Sequence, residues 1–116
     1  MQRKAFPNLL LTAGLVFVFG YFGIDKFVHP DYWIGWIPLW MEGLLTLSRD
    51  GWLMIIGFSE FLFALLLLIP VRTIRRLATV LIALHLIAIL TQTGWNDIAV
   101  RDIGLLFMSL GLFALI

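Results

Sequence analysis

Residues 52–70 read WLMIIGFSEFLFALLLLIP, with Glu60 as the single charged side chain. A run of about 20 apolar residues matches the hydrocarbon thickness of a bilayer. Three further apolar runs of similar length lie at about residues 8–29, 77–95 and 98–116. Because an open sheet would leave backbone groups unsatisfied in lipid, each run is predicted to be a helix. The sequence therefore predicts an all-α, polytopic membrane protein, a bundle of four transmembrane helices.

The composition of the whole chain agrees with this prediction. Of 116 residues, 62% are hydrophobic and only 13% are charged, whereas about a quarter of a soluble domain is charged. The formal net charge of +1 gives no reason to expect a nucleic-acid partner. Because the chain has no cysteine, disulfides and thiolate metal or redox sites are excluded. We expect one membrane domain over residues 1–116, with the lipid bilayer as its main surroundings.

Basic side chains are distributed unevenly between the two ends of the predicted bundle. Arg3 and Lys4 precede the first helix, and Arg72, Arg75 and Arg76 lie between the second and the third. No acidic residue accompanies these five cations, and the positive-inside rule places such a side in the cytoplasm. We therefore expect an integral membrane protein (of the cytoplasmic membrane in a prokaryote) with both termini in the cytoplasm.

The connection between the first two helices, residues 30–51, is rich in tryptophan. Trp33, Trp36 and Trp40 recur at helical spacing, although Pro38 interrupts the pattern. The spacing predicts a broken amphipathic helix at the outer membrane interface. Two interpretations stay open: the tryptophans form an interfacial aromatic belt, or they form a lid over a cavity, with Trp36 in contact with a ligand.

Two ionisable residues lie near the middle of predicted helices, Glu60 in the second and His85 in the third. An ionisable group in hydrocarbon is costly, so its presence demands a partner. Because a short turn joins these helices, we predict a hydrogen bond between Glu60 and His85 that shares a proton near neutral pH. The pair is either a structural clamp between helices or a catalytic site that handles protons.

Further polar residues continue from this pair toward the outer side. Gln92 follows on the same face of the third helix, Asp25 and Lys26 end the first helix, and Arg101 and Asp102 begin the fourth. We expect Asp25 to pair with Arg101 and Lys26 with Asp102, around an outward-facing polar pocket in which these residues bind a ligand. The alternative is charge neutralisation during membrane insertion. No metal site is predicted, because the two histidines lie on different helices without ligand spacing.

Four sequence features together resemble the DoxX-like family of small four-helix membrane proteins, and the resemblance covers nearly the whole chain. They are Gly23-Ile24-Asp25-Lys26, Gly57-Phe58-Ser59-Glu60, Pro70-Val71-Arg72-Thr73 and Arg101-Asp102. The resemblance implies that Lys26, Glu60 and the Arg101–Asp102 pair occupy the recurring polar positions of the family. It also implies a link with redox physiology, as in thiosulfate:quinone oxidoreductase subunits and membrane partners of oxidative-stress enzymes.

The leading functional hypothesis is a membrane subunit of a quinone- or sulfur-compound-linked redox system. Its pocket would bind a small polar molecule or a quinone head group, with Glu60 and His85 handling the proton. Lys26 and Arg101 would hold an anionic or carbonyl oxygen of the ligand. No covalently bound cofactor is implied. Because the chain carries no electron-carrier motif of its own, a quinone or a partner subunit would carry the electrons.

Two other functions remain as alternatives. The first is a structural or assembly subunit of a membrane complex, formed with other subunits or with further copies of this chain. The second is a small proton-coupled transporter, because small multidrug transporters also have four spans and one buried glutamate. Those transporters carry the glutamate in the first helix, whereas Glu60 lies in the second.

Overall fold

The computed structural model describes the backbone of residues 2–116 and the side chains from residue 5 onward. The described chain is all-α, with helices α1 (Gln2–Val28), α2 (Pro30–Trp33), α3 (Arg49–Leu68), α4 (Arg72–Thr93) and α5 (Asp97–Leu115). Of these, α1, α3, α4 and α5 are long and apolar enough to cross a membrane. The prediction of a four-helix integral membrane protein is confirmed. The side chains of Arg3 and Lys4, used above for orientation, lie outside the described part.

The four long helices form a closed ring. Helices α1 and α4 each pack against both α3 and α5, and the α1–α3 contact is the most extensive. Away from the tryptophan-rich segment, the ring encloses an apolar core, whose buried members are Leu15, Phe19, Ala64, Leu67, Ala78, Ile82, Leu86, Leu105 and Leu112. In lipid such a core gains stability through close packing, because burial from lipid supplies little hydrophobic driving force.

Two glycines bring α1 and α3 into backbone contact. A Cβ atom added at Gly23 would lie 2.8 Å from the carbonyl oxygen of Gly57 and 2.8 Å from the amide nitrogen of Phe61. A Cβ added at Gly57 would lie 3.0 Å from the Cβ of Lys26. This close approach places the Cβ of Lys26 beside Gly57 of α3. Gly57 precedes Glu60 by about one helical turn, so the longer Lys26 side chain can reach Glu60.

Helix α4 begins at Arg72, five residues earlier than predicted, so the three arginines expected in a turn belong to its first two turns. Arg75 explains this difference, because its side chain joins three helices. Its Nε donates to the carbonyl oxygen of Leu67 at 3.2 Å, and its Nη2 donates to Asn8 and Thr12 of α1. Arginine is a good helix former, and here it also satisfies a carbonyl at the end of α3.

The other long helices also start earlier than predicted. Helix α1 begins at residue 2 instead of residue 8. Helix α3 begins three residues early because Ser48 is its N-cap, with its hydroxyl accepting from the amide of Gly51 at 3.1 Å. Helix α5 begins one residue early, at Asp97, where Asn96 caps the amide of Ala99 at 3.0 Å. Hydropathy locates the apolar span, whereas the caps locate the helix ends.

The tryptophan-rich segment is broken, as predicted, but it forms no amphipathic helix. The short α2 is followed by three 3₁₀ turns, at Ile34–Trp36, Leu39–Met41 and Leu44–Thr46. Arg49 holds the first part, because its guanidinium donates to the carbonyl oxygens of Ile34 at 2.9 Å and Ile37 at 3.1 Å. The segment packs on α1 and α3 at one end of the bundle. We call residues 30–47 the lid.

Candidate functional site

A cavity of about 340 Å³ lies between the lid and the long helices. This volume falls within the range of pockets that hold small organic ligands. Most of its lining is apolar, from the lid (Trp33, Trp36, Ile37, Pro38, Trp40, Met41) and from the helices (Leu53, Ile56, Ala88, Ile89, Ile98). The polar lining residues are Lys26, Glu60, His85, Thr91, Gln92, Thr93, Arg101 and Asp102. The expected polar pocket is thus a mainly apolar cavity with localised polar groups.

Three of the five tryptophans lie where a lid over the cavity would place them. Trp33, Trp36 and Trp40 line the cavity, and the indole nitrogen of Trp40 donates to the side-chain oxygen of Gln92 at 3.0 Å. This hydrogen bond fastens the lid to α4. Trp95, in contrast, is 81% exposed and lies outside the cavity lining. An interfacial position suits Trp95, whereas the lid tryptophans enclose space.

At the deep end of the cavity, three ionisable side chains form a continuous chain. The Nζ of Lys26 lies 2.6 Å from Glu60 Oε1, and the Nε2 of His85 lies 3.3 Å from Glu60 Oε2. Glu60 and His85 are the cavity-lining residues of α3 and α4 that lie farthest along those helices from the lid. The predicted hydrogen bond between Glu60 and His85 is present. Lys26, from α1, joins it as a third member.

Lys26 has partners on several sides. Besides its ion pair with Glu60, its ammonium donates to the carbonyl oxygen of Phe22 at 3.4 Å. It also lies 4.2 Å from the ring centroid of Trp33, within the range of a cation–π interaction. Lys26 and Glu60 are both buried. Burying such a pair is costly unless its geometry is good and other groups satisfy it, so this arrangement stabilises an otherwise unfavourable charge.

Arg101 and Asp102 pair with each other rather than with α1. Arg101 Nε and Nη2 donate to Asp102 Oδ1 at 3.0 Å and 2.8 Å. The guanidinium carbon also lies 4.6 Å from the ring centroid of Phe22. The predicted pairs of Asp25 with Arg101 and of Lys26 with Asp102 are therefore wrong. The glycine contact directs Lys26 to α3, and a flexible arginine reaches the carboxylate of its own neighbour.

Asp25 lies outside the cavity lining, although we expected it to bind a ligand. Its Oδ2 accepts from the indole nitrogen of Trp33 at 2.8 Å, and its Oδ1 lies 2.7 Å from His29 Nδ1. The carboxylate faces the lid because the chain turns back directly after α1. Asp25 therefore positions Trp33, which in turn lies over Lys26.

Two residues of the lid and the cavity were not predicted from the sequence. The guanidinium of Arg49 donates to two lid carbonyls, and the backbone amide of Arg49 donates to the carboxylate of Glu42 at 2.8 Å. Thr93 lines the cavity and was not considered. The useful signal was the position of Arg49 directly after the N-cap Ser48, where an arginine side chain reaches back toward the preceding loop.

Comparison of the chain with protein-family models, with curated proteins and with solved structures finds no match. Among the described side chains, no group of three potential metal ligands comes together. The arrangement instead offers ion pairs, a histidine and aromatic surfaces, which suit an organic ligand.

Proposed function

We propose that this chain is a DoxX-like integral membrane subunit of a redox system, and that its cavity binds a quinone head group. The observation that carries the proposal is the Lys26–Glu60–His85 chain at the deep end of a tryptophan-lined cavity. Buried ionisable groups are costly in a membrane and mark functional sites by default. A purely structural clamp would need the Glu60–His85 contact, but it would not need a cavity beside it.

The lining matches the chemistry of a quinone head group. Its flat apolar ring fits between the lid tryptophans and the isoleucines of α3, α4 and α5, and its oxygen atoms require polar partners. Arg101 is the best donor for such an oxygen, because its guanidinium has five N–H groups and Asp102 uses only two of them. The ammonium of Lys26 is already held by Glu60 and by Phe22, so we assign it a positioning role.

The Glu60–His85 pair supplies a route for protons. Reduction of a quinone to a hydroquinone takes up two electrons and two protons, and oxidation releases them. In our proposal, Glu60 and His85 exchange protons with the bound ring. Since the sequence contains no cysteine and no other electron-carrier motif, the electrons pass to or from a partner, either another membrane subunit or a second copy of this chain.

A binding titration tests this function. The purified protein in phosphatidylcholine nanodiscs is titrated with a short-chain ubiquinone, followed by quenching of tryptophan fluorescence and by calorimetry. We expect saturable binding that is weakened about tenfold or more in His85→Ala, as for loss of a buried polar contact.

Leu84→Ala is the matched control, because Leu84 directly precedes His85 on α4, is exposed and does not line the cavity. It should bind as the wild type does. The absence of saturable binding would overturn the proposal. Equal weakening in both variants would also overturn it, and a loss of assembly with binding unchanged would favour the structural alternative.

We further propose that the end carrying Arg72, Arg75 and Arg76 faces the cytoplasm, together with both termini, and that the lid faces the opposite side. Because the chain has no cysteine, single cysteines report on each end. A membrane-impermeant maleimide applied to intact cells should label Trp95→Cys and spare Arg72→Cys, since both side chains are exposed at opposite ends of α4. The reverse labelling would refute this orientation.

A further inference from the structure

Asp102 has one carboxylate oxygen that no donor of the described chain reaches. Asp102 is 1% exposed and lines the cavity. Both contacts from Arg101 go to Oδ1, whereas Oδ2 is buried without a hydrogen-bond partner among the described residues. A buried acceptor of this kind costs free energy, and a charged one costs more. Because Asp102 lines the cavity, this buried oxygen is a candidate acceptor for a donor of a bound ligand.

Several other donors in the cavity already serve acceptors of the protein. Lys26 contacts Glu60, Phe22 and the face of Trp33. The indole of Trp40 donates to Gln92, whose own amide nitrogen lies 3.3 Å from the hydroxyl of Thr91. These groups serve acceptors inside the protein. The hydroxyl of Thr93 also lines the cavity, but in the described chain it forms no hydrogen bond with Asp102. A donor on the ligand can therefore supply the hydrogen bond that Asp102 Oδ2 lacks.

The charges of the cavity select the kind of donor. Its two cations, Lys26 and Arg101, are matched by Glu60 and Asp102 in separate ion pairs. A cationic ligand would disturb this balance in a low-dielectric site, whereas a neutral hydroxyl group supplies the donor without added charge. The tryptophans and isoleucines around it suit an aromatic ring.

We propose that the cavity prefers the reduced, hydroxyl-bearing form of its ring ligand to the oxidised, carbonyl form, with Asp102 Oδ2 as the discriminating acceptor. This inference rests on the proposed function. A hydroquinone hydroxyl donates to Oδ2, while a quinone carbonyl would place one acceptor against another. Sites that hydrogen-bond a substrate hydroxyl discriminate strongly against analogues that lack it. Asp102 is thus a specificity-determining residue.

The first test uses two probes with the same ring and different donors. Hydroquinone and 1,4-dimethoxybenzene are titrated separately, under anaerobic and reducing conditions, into the wild-type protein in phosphatidylcholine nanodiscs. We expect hydroquinone to bind at least about tenfold more tightly, as for a hydrogen bond to a charged group. The same direction is expected for a short-chain ubiquinol against its ubiquinone. Equal affinities, or tighter binding of the ether and the ubiquinone, would overturn the preference.

Asp102→Asn supplies the second test. The amide oxygen is expected to stay with the two N–H groups of Arg101, which places an N–H donor where Oδ2 lies in the wild type. The preference should then shift toward the ubiquinone by about tenfold or more. A folded Asp102→Asn that keeps the wild-type preference would overturn the role of Asp102. Should this variant fail to fold, the comparison of probes on the wild type still decides the preference.

The two proposals fail in different ways. If neither form of the ring binds the wild type, the proposed function fails, and the preference fails with it. If both forms bind saturably and equally, the cavity is a ring-binding site without the preference proposed here. Binding of the ubiquinone alone would support the proposed function and refute this inference.

Discussion

The two halves of the bundle use different interactions. The half away from the lid is closed by a dry core of leucine, isoleucine, alanine and phenylalanine side chains. The lid half contains a cavity, the buried Lys26–Glu60 ion pair with His85, and a second ion pair between the buried Asp102 and the partly exposed Arg101. In lipid, close packing and interhelical hydrogen bonds stabilise a helix bundle, whereas buried charges are costly. The comparison teaches that the costly charged side chains are concentrated in the lid half, where our proposal assigns them to ligand binding and proton exchange.

Lys26→Met is expected to have the largest effect on stability, because it leaves the Glu60 carboxylate without its cation. Removing one partner of a buried pair costs roughly 3–5 kcal/mol. The free energy of unfolding, measured by denaturant titration in mixed micelles, should fall by about that amount. Lys26→Met combined with Glu60→Leu should recover most of the loss and still bind no ring ligand. A double variant as unstable as the single one would show that the pair serves stability.

Gly23→Ala tests the contact that brings the ion pair together. Its added methyl would lie 2.8 Å from backbone atoms of α3, which cannot move independently. Such overpacking costs roughly 1–3 kcal/mol, and we expect weaker ring binding because Lys26 moves away from α3. Gly20→Ala is the matched control, since nothing lies within 4 Å of its added Cβ. Equal losses of stability and binding in the two variants would show that the Gly23 contact does not position Lys26.

Trp40→Phe tests the contribution of the lid without changing the ion pairs beneath it. The substitution removes the hydrogen bond from the indole nitrogen to Gln92 and keeps an aromatic ring. We expect a loss of about 1 kcal/mol in the stability of the closed lid, seen as roughly fivefold faster dissociation of ring ligand in stopped-flow fluorescence. Trp95→Phe, which changes an exposed tryptophan outside the cavity, should leave the dissociation rate unchanged. Unaltered dissociation in Trp40→Phe would argue against a lid.

Ser109→Ala is expected to have the smallest effect, and it lies in the dry half. The hydroxyl of Ser109 donates to the carbonyl oxygen of Thr79 at 2.7 Å, joining α5 to α4. Such interhelical hydrogen bonds average about 0.6 kcal/mol in a membrane protein. The free energy of unfolding should fall by about that amount, with ring binding unchanged. A clear loss of binding would show that the two halves are coupled.

Much of the fold was predictable, because a membrane constrains local sequence. A helix that crosses lipid needs a continuous apolar run, and residues 52–70 show one without reference to any other part of the chain. The helix ends were less predictable, since they depend on single side chains such as the Ser48 cap and on Arg75, which reaches three helices.

The sequence predicted most of the polar residues of the site, but it did not predict all of the contacts between them. Glu60 and His85 were paired correctly, because a short turn makes their helices neighbours. The partners of Asp25 and Lys26 were wrong, because those predictions used depth alone. Depth does not show which helix α1 contacts most closely, nor that Asp25 is occupied by a lid tryptophan.

The sequence by itself determined that four helices cross lipid and that few charged side chains lie among them. Both follow from the free energy of moving each segment from water into hydrocarbon, which is a property of local composition. Only the tertiary structure decided that Lys26 meets Glu60, that the lid covers a cavity, and that Asp102 keeps one oxygen free. Those outcomes depend on the backbone approach at Gly23 and Gly57 and on side-chain reach between helices, which no local pattern encodes.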